Sequence, residues 1–194
     1  MKLKRIIILT ILAMSIFKIS FAQTRIGRLT LINVEKPSNS SIQQGRITSS
    51  KYIETRGNDS LEFTKNNYTD NYVSISFPQP FADALVIEIE NKSNDTQRVI
   101  WDDGCYIAQN KNTYRIVRSG YPQRQSPIVS QVPTPIMKGE TIRTDLHVGV
   151  MIFATTDNTI DQAKLLLPIQ SGNTINEYIF TFKLEPNHRN VLDL

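Results

Sequence analysis

Leu85-Val86-Ile87-Glu88-Ile89-Glu90, followed by Asn91-Lys92-Ser93-Asn94-Asp95, is the stretch on which the fold class turns. Leu85, Ile87 and Ile89 alternate with Val86, Glu88 and Glu90, and a period of two puts one apolar row on a single face of a half-buried strand. The five residues that follow are turn formers whose short polar side chains bond their own backbone. A strand closed by such a turn is the unit to look for elsewhere in the chain.

Downstream it recurs. Gln97 to Asp102 predicts a strand with Val99 and Trp101 on one face, and Asp103-Gly104 predicts a hairpin into Cys105 to Ala108. Gln109-Asn110-Lys111-Asn112 then turns the chain into Thr113 to Ser119, so that four short strands make a meander or Greek-key segment. Glu140 to Val150 and Ala163 to Ile169 read as further strands. Tyr178, Phe180, Phe182 and Leu184 alternate with Ile179, Thr181, Lys183 and Glu185 as the clearest amphipathic strand, and Pro186 ends it because proline cannot donate to a ladder.

Upstream the pattern is looser. Thr24 to Val34 predicts a first strand whose imperfect alternation calls for a bulge. Residues 35–70 are polar, with short candidate strands at Arg46 to Thr55 and Leu61 to Thr64, and Tyr72 to Phe77 restores clean alternation. Pro122, Pro127, Pro133 and Pro135 make Tyr121 to Lys138 an extended edge or a crossing from one sheet to the other. The only helical candidates are one-turn pieces such as Pro80 to Ala84. The expected fold is all-β: a single Greek-key β-sandwich, immunoglobulin-like in architecture, with an irregular N-terminal segment. Residues 23–80 supply N-terminal strands and polar loops, 81–194 supply the main core, and 23–194 form one domain.

Residues 1–22 read as a secretory signal: basic Met1-Lys2-Leu3-Lys4-Arg5, an uncharged and mostly apolar run from Ile6 to Phe17, then Ser20 and Ala22 ahead of Gln23. Twelve apolar residues reach about 18 Å as a helix, short of a hydrocarbon core of roughly 30 Å. The expected product is therefore a periplasmic or extracellular protein with no stable membrane span, and no cysteine stands at the cleavage site to take a lipid. The chain carries 22 basic and 18 acidic residues, and the leader holds four of the basic ones and no acid. The remainder is balanced, which removes the electrostatic case for nucleic acid as a partner. Cys105 is the only cysteine, so no intramolecular disulfide forms and the core must hold the domain.

Within residues 85–145, Ile89-Glu90-Asn91-Lys92-Ser93, Val99-Ile100-Trp101-Asp102-Asp103, Tyr106-Ile107, Arg115-Ile116-Val117-Arg118-Ser119-Gly120 and Lys138-Gly139-Glu140 resemble a group of secreted or lipid-anchored bacterial envelope β-sandwich proteins. The resemblance implies an envelope location and a sandwich fold. The group has no assigned activity, so no catalytic residue carries over, and this chain departs from its lipoproteins in lacking the anchoring cysteine.

Candidate chemistry is sparse. Cys105, His147 and His188 are too few and too scattered for a structural metal site, and a thiol needs a neighbouring base to act as a nucleophile. Asp102 and Asp103 are weak calcium candidates against an ordinary Asp-Gly turn, and Asp102 has a second use as an ion-pair partner of Arg115 or Arg118. Tyr114, Arg115, Arg118, Tyr121 and Arg124 form the most suggestive polar-aromatic group, since arginine forks bind carboxylate or phosphate and tyrosines stack on sugars or peptides. The competing reading of that group is a solvated sheet face. Asn-X-Ser/Thr triplets at Asn39, Asn58, Asn67, Asn91 and Asn94 mark expected exposed turns. No Gly-rich phosphate loop or nucleophile elbow occurs, and no cofactor is implied. The leading expectation is a non-catalytic module that binds another envelope protein, by strand addition at a sheet edge. Binding of a glycan through the Tyr/Arg surface is the alternative, and an envelope hydrolase using carboxylates comes third.

Overall fold

The computed structural model describes residues 28–39, 41–56, 59–78, 84–108, 110–122, 129–148 and 161–185. The leader, Arg124, His188 and most of the one-turn helical candidate at Pro80 to Ala84 lie outside them. Among the described residues the chain is all-β, built as two antiparallel sheets in a sandwich-like arrangement rather than a barrel.

The first sheet contains β1 (Arg28–Glu35), β13 (Thr174–Glu185), β12 (Asp161–Ser171), β6 (Gln97–Val99) and β10 (Thr134–Ile136) in that order, with β7 (Cys105–Ile107) also on β12 and β8 (Thr113–Arg115) on β7. The second runs β2 (Arg46–Arg56), β3 (Asp59–Thr69), β4 (Val73–Phe77), β5 (Ala84–Asn91), β11 (Thr141–His147) and β9 (Val117–Arg118). Their inner rows meet in one core. Phe77 on β4 packs edge-on against Phe180 and Phe182 on β13, with ring centroids 5.2 and 5.0 Å apart, and Tyr68 on β3 meets Tyr178 at 6.1 Å.

The period-two strands hold where the alternation is clean. Ile87 and Ile89 on β5 and Phe180 and Phe182 on β13 are buried. The bulge expected in the first strand falls at Ile32: Leu31 stands opposite Phe182 and Asn33 opposite Thr181, leaving Ile32 between them and exposed. The proline-rich passage does carry the chain between sheets, from β9 in the second to β10 in the first.

Several expectations are corrected. Asp103-Gly104 is no hairpin. β6 and β7 do not pair with each other; both run along β12, Val99 opposite Ile169 and Cys105 opposite Leu166. Six steps of chain thus face three steps of partner, and the excess is a 3-10 turn, Trp101–Asp103, pushed out of the ladder. Trp101 is consequently on that turn rather than on a strand, with its indole fully buried. Gly104 has ordinary extended angles, φ −78° and ψ 145°. What requires glycine there is Ile116, whose Cδ1 would stand 2.5 Å from an added Cβ.

Thr113 to Ser119 is likewise two strands. β8 pairs with β7 in the first sheet, buried Ile116 turns inward, and β9 pairs with β11 in the second. The four-strand meander is therefore replaced by a path that leaves the second sheet after β5 and returns to it at β9. The strand expected at Arg46 to Thr55 is present as β2, but the short one expected at Leu61 to Thr64 extends to the eleven residues of β3, and the two pair from Arg46–Thr69 to Arg56–Asp59. Asn91, expected in an exposed turn, is fully buried. Its Oδ1 accepts from the Ser93 amide and hydroxyl, and its Nδ2 donates to the Asp95 and Ile136 carbonyls. Asn67 sits within β3.

Candidate functional site

The 3-10 turn aims Asp102 at the segment returning from the proline-rich passage. Its carboxylate accepts from Arg115 Nη2, Ser130 Oγ, the Gln131 amide at 2.9 Å and Gln131 Nε2 at 3.3 Å. Partial burial works against ionisation, but the donors from Ser130, Arg115 and Gln131 outweigh it and hold the carboxyl down at about 2. Arg115 also donates to the Val129 carbonyl. Gln131, itself buried, donates through Nε2 to the Ile116 carbonyl and accepts the Arg118 amide through Oε1. Residues 129–132 are thereby strapped over the point where the chain changes sheets.

Four of the five residues of the polar-aromatic group are described, and the structure divides them. Arg115 is occupied by Asp102, and Tyr114 packs against the core. Tyr121 accepts the Val132 amide at 3.1 Å and Arg118 Nη2 at 3.4 Å, which together draw its phenol below the usual range. The Arg118 guanidinium carbon lies 4.8 Å from the Tyr121 ring centroid, a cation-π contact. Asp103 is exposed and has no part in the strap. Among the described residues no three His, Cys, Asp or Glu are grouped to hold a metal. Cys105 lies on β7 in the first sheet and His147 on β11 in the second; burial, then Glu177, push the thiol up, away from thiolate chemistry.

Beside the strap, a groove of about 630 Å³ opens between the sheets, lined by Trp101, Arg118, Ser119, Thr134, Ile142, Arg143, Thr144 and Asp145. Trp101 forms its floor and donates its indole N–H to Thr134 Oγ1 at 2.8 Å. One wall is the margin of β11. β9 covers β11 only at Leu146 and His147, and the Ser119 amide reaches the Asp145 carbonyl at 2.9 Å. Residues 141–144 carry no strand on that side among the described residues. Backbone groups two apart on an antiparallel strand point the same way. Since the Asp145 carbonyl faces β9, the N–H and C=O of Arg143 and Thr141 face the same open side.

Arg118 stands opposite Leu146, whose side chain is buried, so it projects on the inter-sheet side of β9. Its Nε is buried without a partner, as is His147 Nδ1. The apolar surface is concentrated nearby: of the five large exposed hydrophobics among the described residues, Val129, Val132 and Met137 flank β10. A separate polar depression lies on the outer face of the second sheet, where Lys65, Ser76 and Arg143 saturate the Glu88 carboxylate.

Sequence reasoning found Asp102–Arg115 and the region of Arg118, and missed Gln131, Thr134, Arg143 and Asp145. The missed residues come from three segments with no shared local pattern, and only the sheet change at Ile116 brings them together. The chain matches no protein-family model, no curated protein and no solved structure.

Proposed function

We propose that this chain is an exported, non-catalytic binding module that receives an extended segment of another protein at the free margin of β11. One observation carries the reading: among the described residues, 141–144 offer unpaired strand edge directly beside a groove lined by Trp101, Arg118 and Thr134. A strand laid there continues the second sheet where β9 stops, gaining main-chain hydrogen bonds from Thr141 and Arg143 while alternate side chains enter the groove. Exposed Val129, Val132 and Met137, in the segment that carries β10, add apolar surface that suits a polypeptide partner. Stacking of a sugar on the Tyr/Arg surface is the weaker reading, because Arg118 already covers a face of Tyr121 and Tyr114 packs on the core.

The finer architecture belongs to the same proposal. Repeated crossings between the two sheets favour a Greek-key sandwich of immunoglobulin-like type. The basic, apolar and small-residue segments of 1–22 favour export with cleavage before Gln23, into the bacterial envelope or beyond. The partial resemblance at residues 85–145 to secreted envelope proteins agrees with that address.

The test is selection of a randomised octapeptide library on the purified chain, followed by affinity measurement on Arg143→Pro and Arg143→Ala. Proline removes the outward N–H without touching the ladder to β5, whereas alanine keeps it. Selected peptides should lose about tenfold or more in affinity for Arg143→Pro and bind Arg143→Ala nearly as before. Thr141→Pro repeats the loss at a second position. Equal binding to all variants, or no selected peptide, overturns the reading.

A further inference from the structure

Resting on strand addition at β11, we infer that the segment received carries a carboxylate beside Arg118, and that Arg118 is the residue that selects it. Three arginines gather around the groove and its strap. Arg115 is paired with Asp102, and Arg143 with Glu88 at 3.0 Å. Arg118 has no carboxylate within ion-pair distance among the described residues. Its guanidinium holds a 3.4 Å hydrogen bond to the Tyr121 hydroxyl and lies over the Tyr121 ring, and its Nε is buried with nothing to donate to.

The position of this residue gives the unmet donor its meaning. Arg118 is opposite buried Leu146, so its side chain enters the space between the sheets and lines the groove with Trp101 and Thr134. The groove's one acid, Asp145, follows Leu146 on β11 and is turned to the other face by the alternation of the strand. It shares a 3.4 Å hydrogen bond with Ser119 Oγ. A guanidinium stripped of water at Nε and left unpaired is costly, and a carboxylate accepting from Nε and an Nη in parallel removes that cost. Tyr121, held by the Val132 amide and by Arg118 itself, fixes the plane of the fork in advance. A strand continuing the line of β9 along β11 passes this fork where it meets Ser119, and an Asp, a Glu or a terminal carboxylate there meets both the charge and the geometry. The competing explanation is that an inward-pointing charge at a sheet margin serves only to blunt the edge.

The experiment uses the octapeptides selected on the full chain, with the lone tryptophan, Trp101 at the groove floor, as a fluorescence reporter. The inference expects Asp or Glu enriched at a single position, and about a tenfold affinity loss when that residue becomes Gln or Asn. Arg118→Gln abolishes the acid preference while the neutral peptide binds it as it binds the parent. Arg118→Lys keeps the charge without the fork and retains only part of the preference. If peptides bind with no acid preference, or the preference survives in Arg118→Gln, strand addition stands and the role of Arg118 is overturned. If no peptide is selected, both fall.

Discussion

At the scale of the residue, Asp102 is the side chain on which most of the site depends. One carboxylate joins the 3-10 turn, β8 and the strap at Ser130 and Gln131. Its carboxyl sits at about 2 when folded, against an ordinary 3.8. The unfolded chain therefore takes up the proton first, and the stabilisation is present above about pH 4 and lost as pH falls through about 2. Asp102→Asn should cost about 1.5–3 kcal/mol at neutral pH, the range for hydrogen bonds to charged groups. Urea midpoints of the two proteins should converge as pH approaches about 2. A difference that stays constant across that window would contradict the assignment. That Asp102 pairs with Arg115 or Arg118 was legible in the sequence, because acid and arginines flanked short neighbouring strands; the choice of Arg115 was not. Gln131 was not legible, since a glutamine in a proline-rich passage carries no local signal of burial.

At the scale of the element, the two sheets are held in register by side chains that act as backbone. Asn66 on β3 is buried; its Nδ2 donates to the Leu29 carbonyl at 2.9 Å and its Oδ1 accepts the Leu31 amide at 3.1 Å. The amide thus caps the outer side of β1, which pairs on its other side with β13. Asn66→Ala leaves two buried main-chain groups unpaired and should cost about 2–4 kcal/mol, with faster hydrogen exchange at the Leu31 amide. Unchanged exchange at Leu31 would remove Asn66 from this role. Clean alternation identified β4, β5 and β13, because a strand with one face in the core advertises its period, and β11 and β12 were read as strands without it. β3 was read too short because polar residues such as Asn66 and Asn67 lower strand propensity, and neighbouring strands override it. The Asp103-Gly104 turn misled for a related reason: a glycine needed for close approach to Ile116 looks, locally, like a glycine needed for a hairpin.

At the scale of the molecule, the all-β class and its two antiparallel sheets follow from many short strands that each bury one face. Which strands pair was beyond local pattern. The break after Trp101 and the change of sheet at Ile116 depend on contacts with β12 and β11, far away in sequence. Those same two irregularities open the groove, since β9 ends after two residues and, among the described residues, most of β11 has no strand on that side. The binding site is, on this account, a consequence of how the sheets are closed. Its most direct test is residue-resolved hydrogen exchange of the chain with and without a selected octapeptide. Free, the Thr141 and Arg143 amides should exchange quickly while Ile142, Thr144 and Leu146, which face β5, are protected; with peptide, Thr141 and Arg143 should become protected as well. Protection at Thr141 and Arg143 in the free chain, or no change there when the peptide binds, would contradict a free β11 margin as the site of binding.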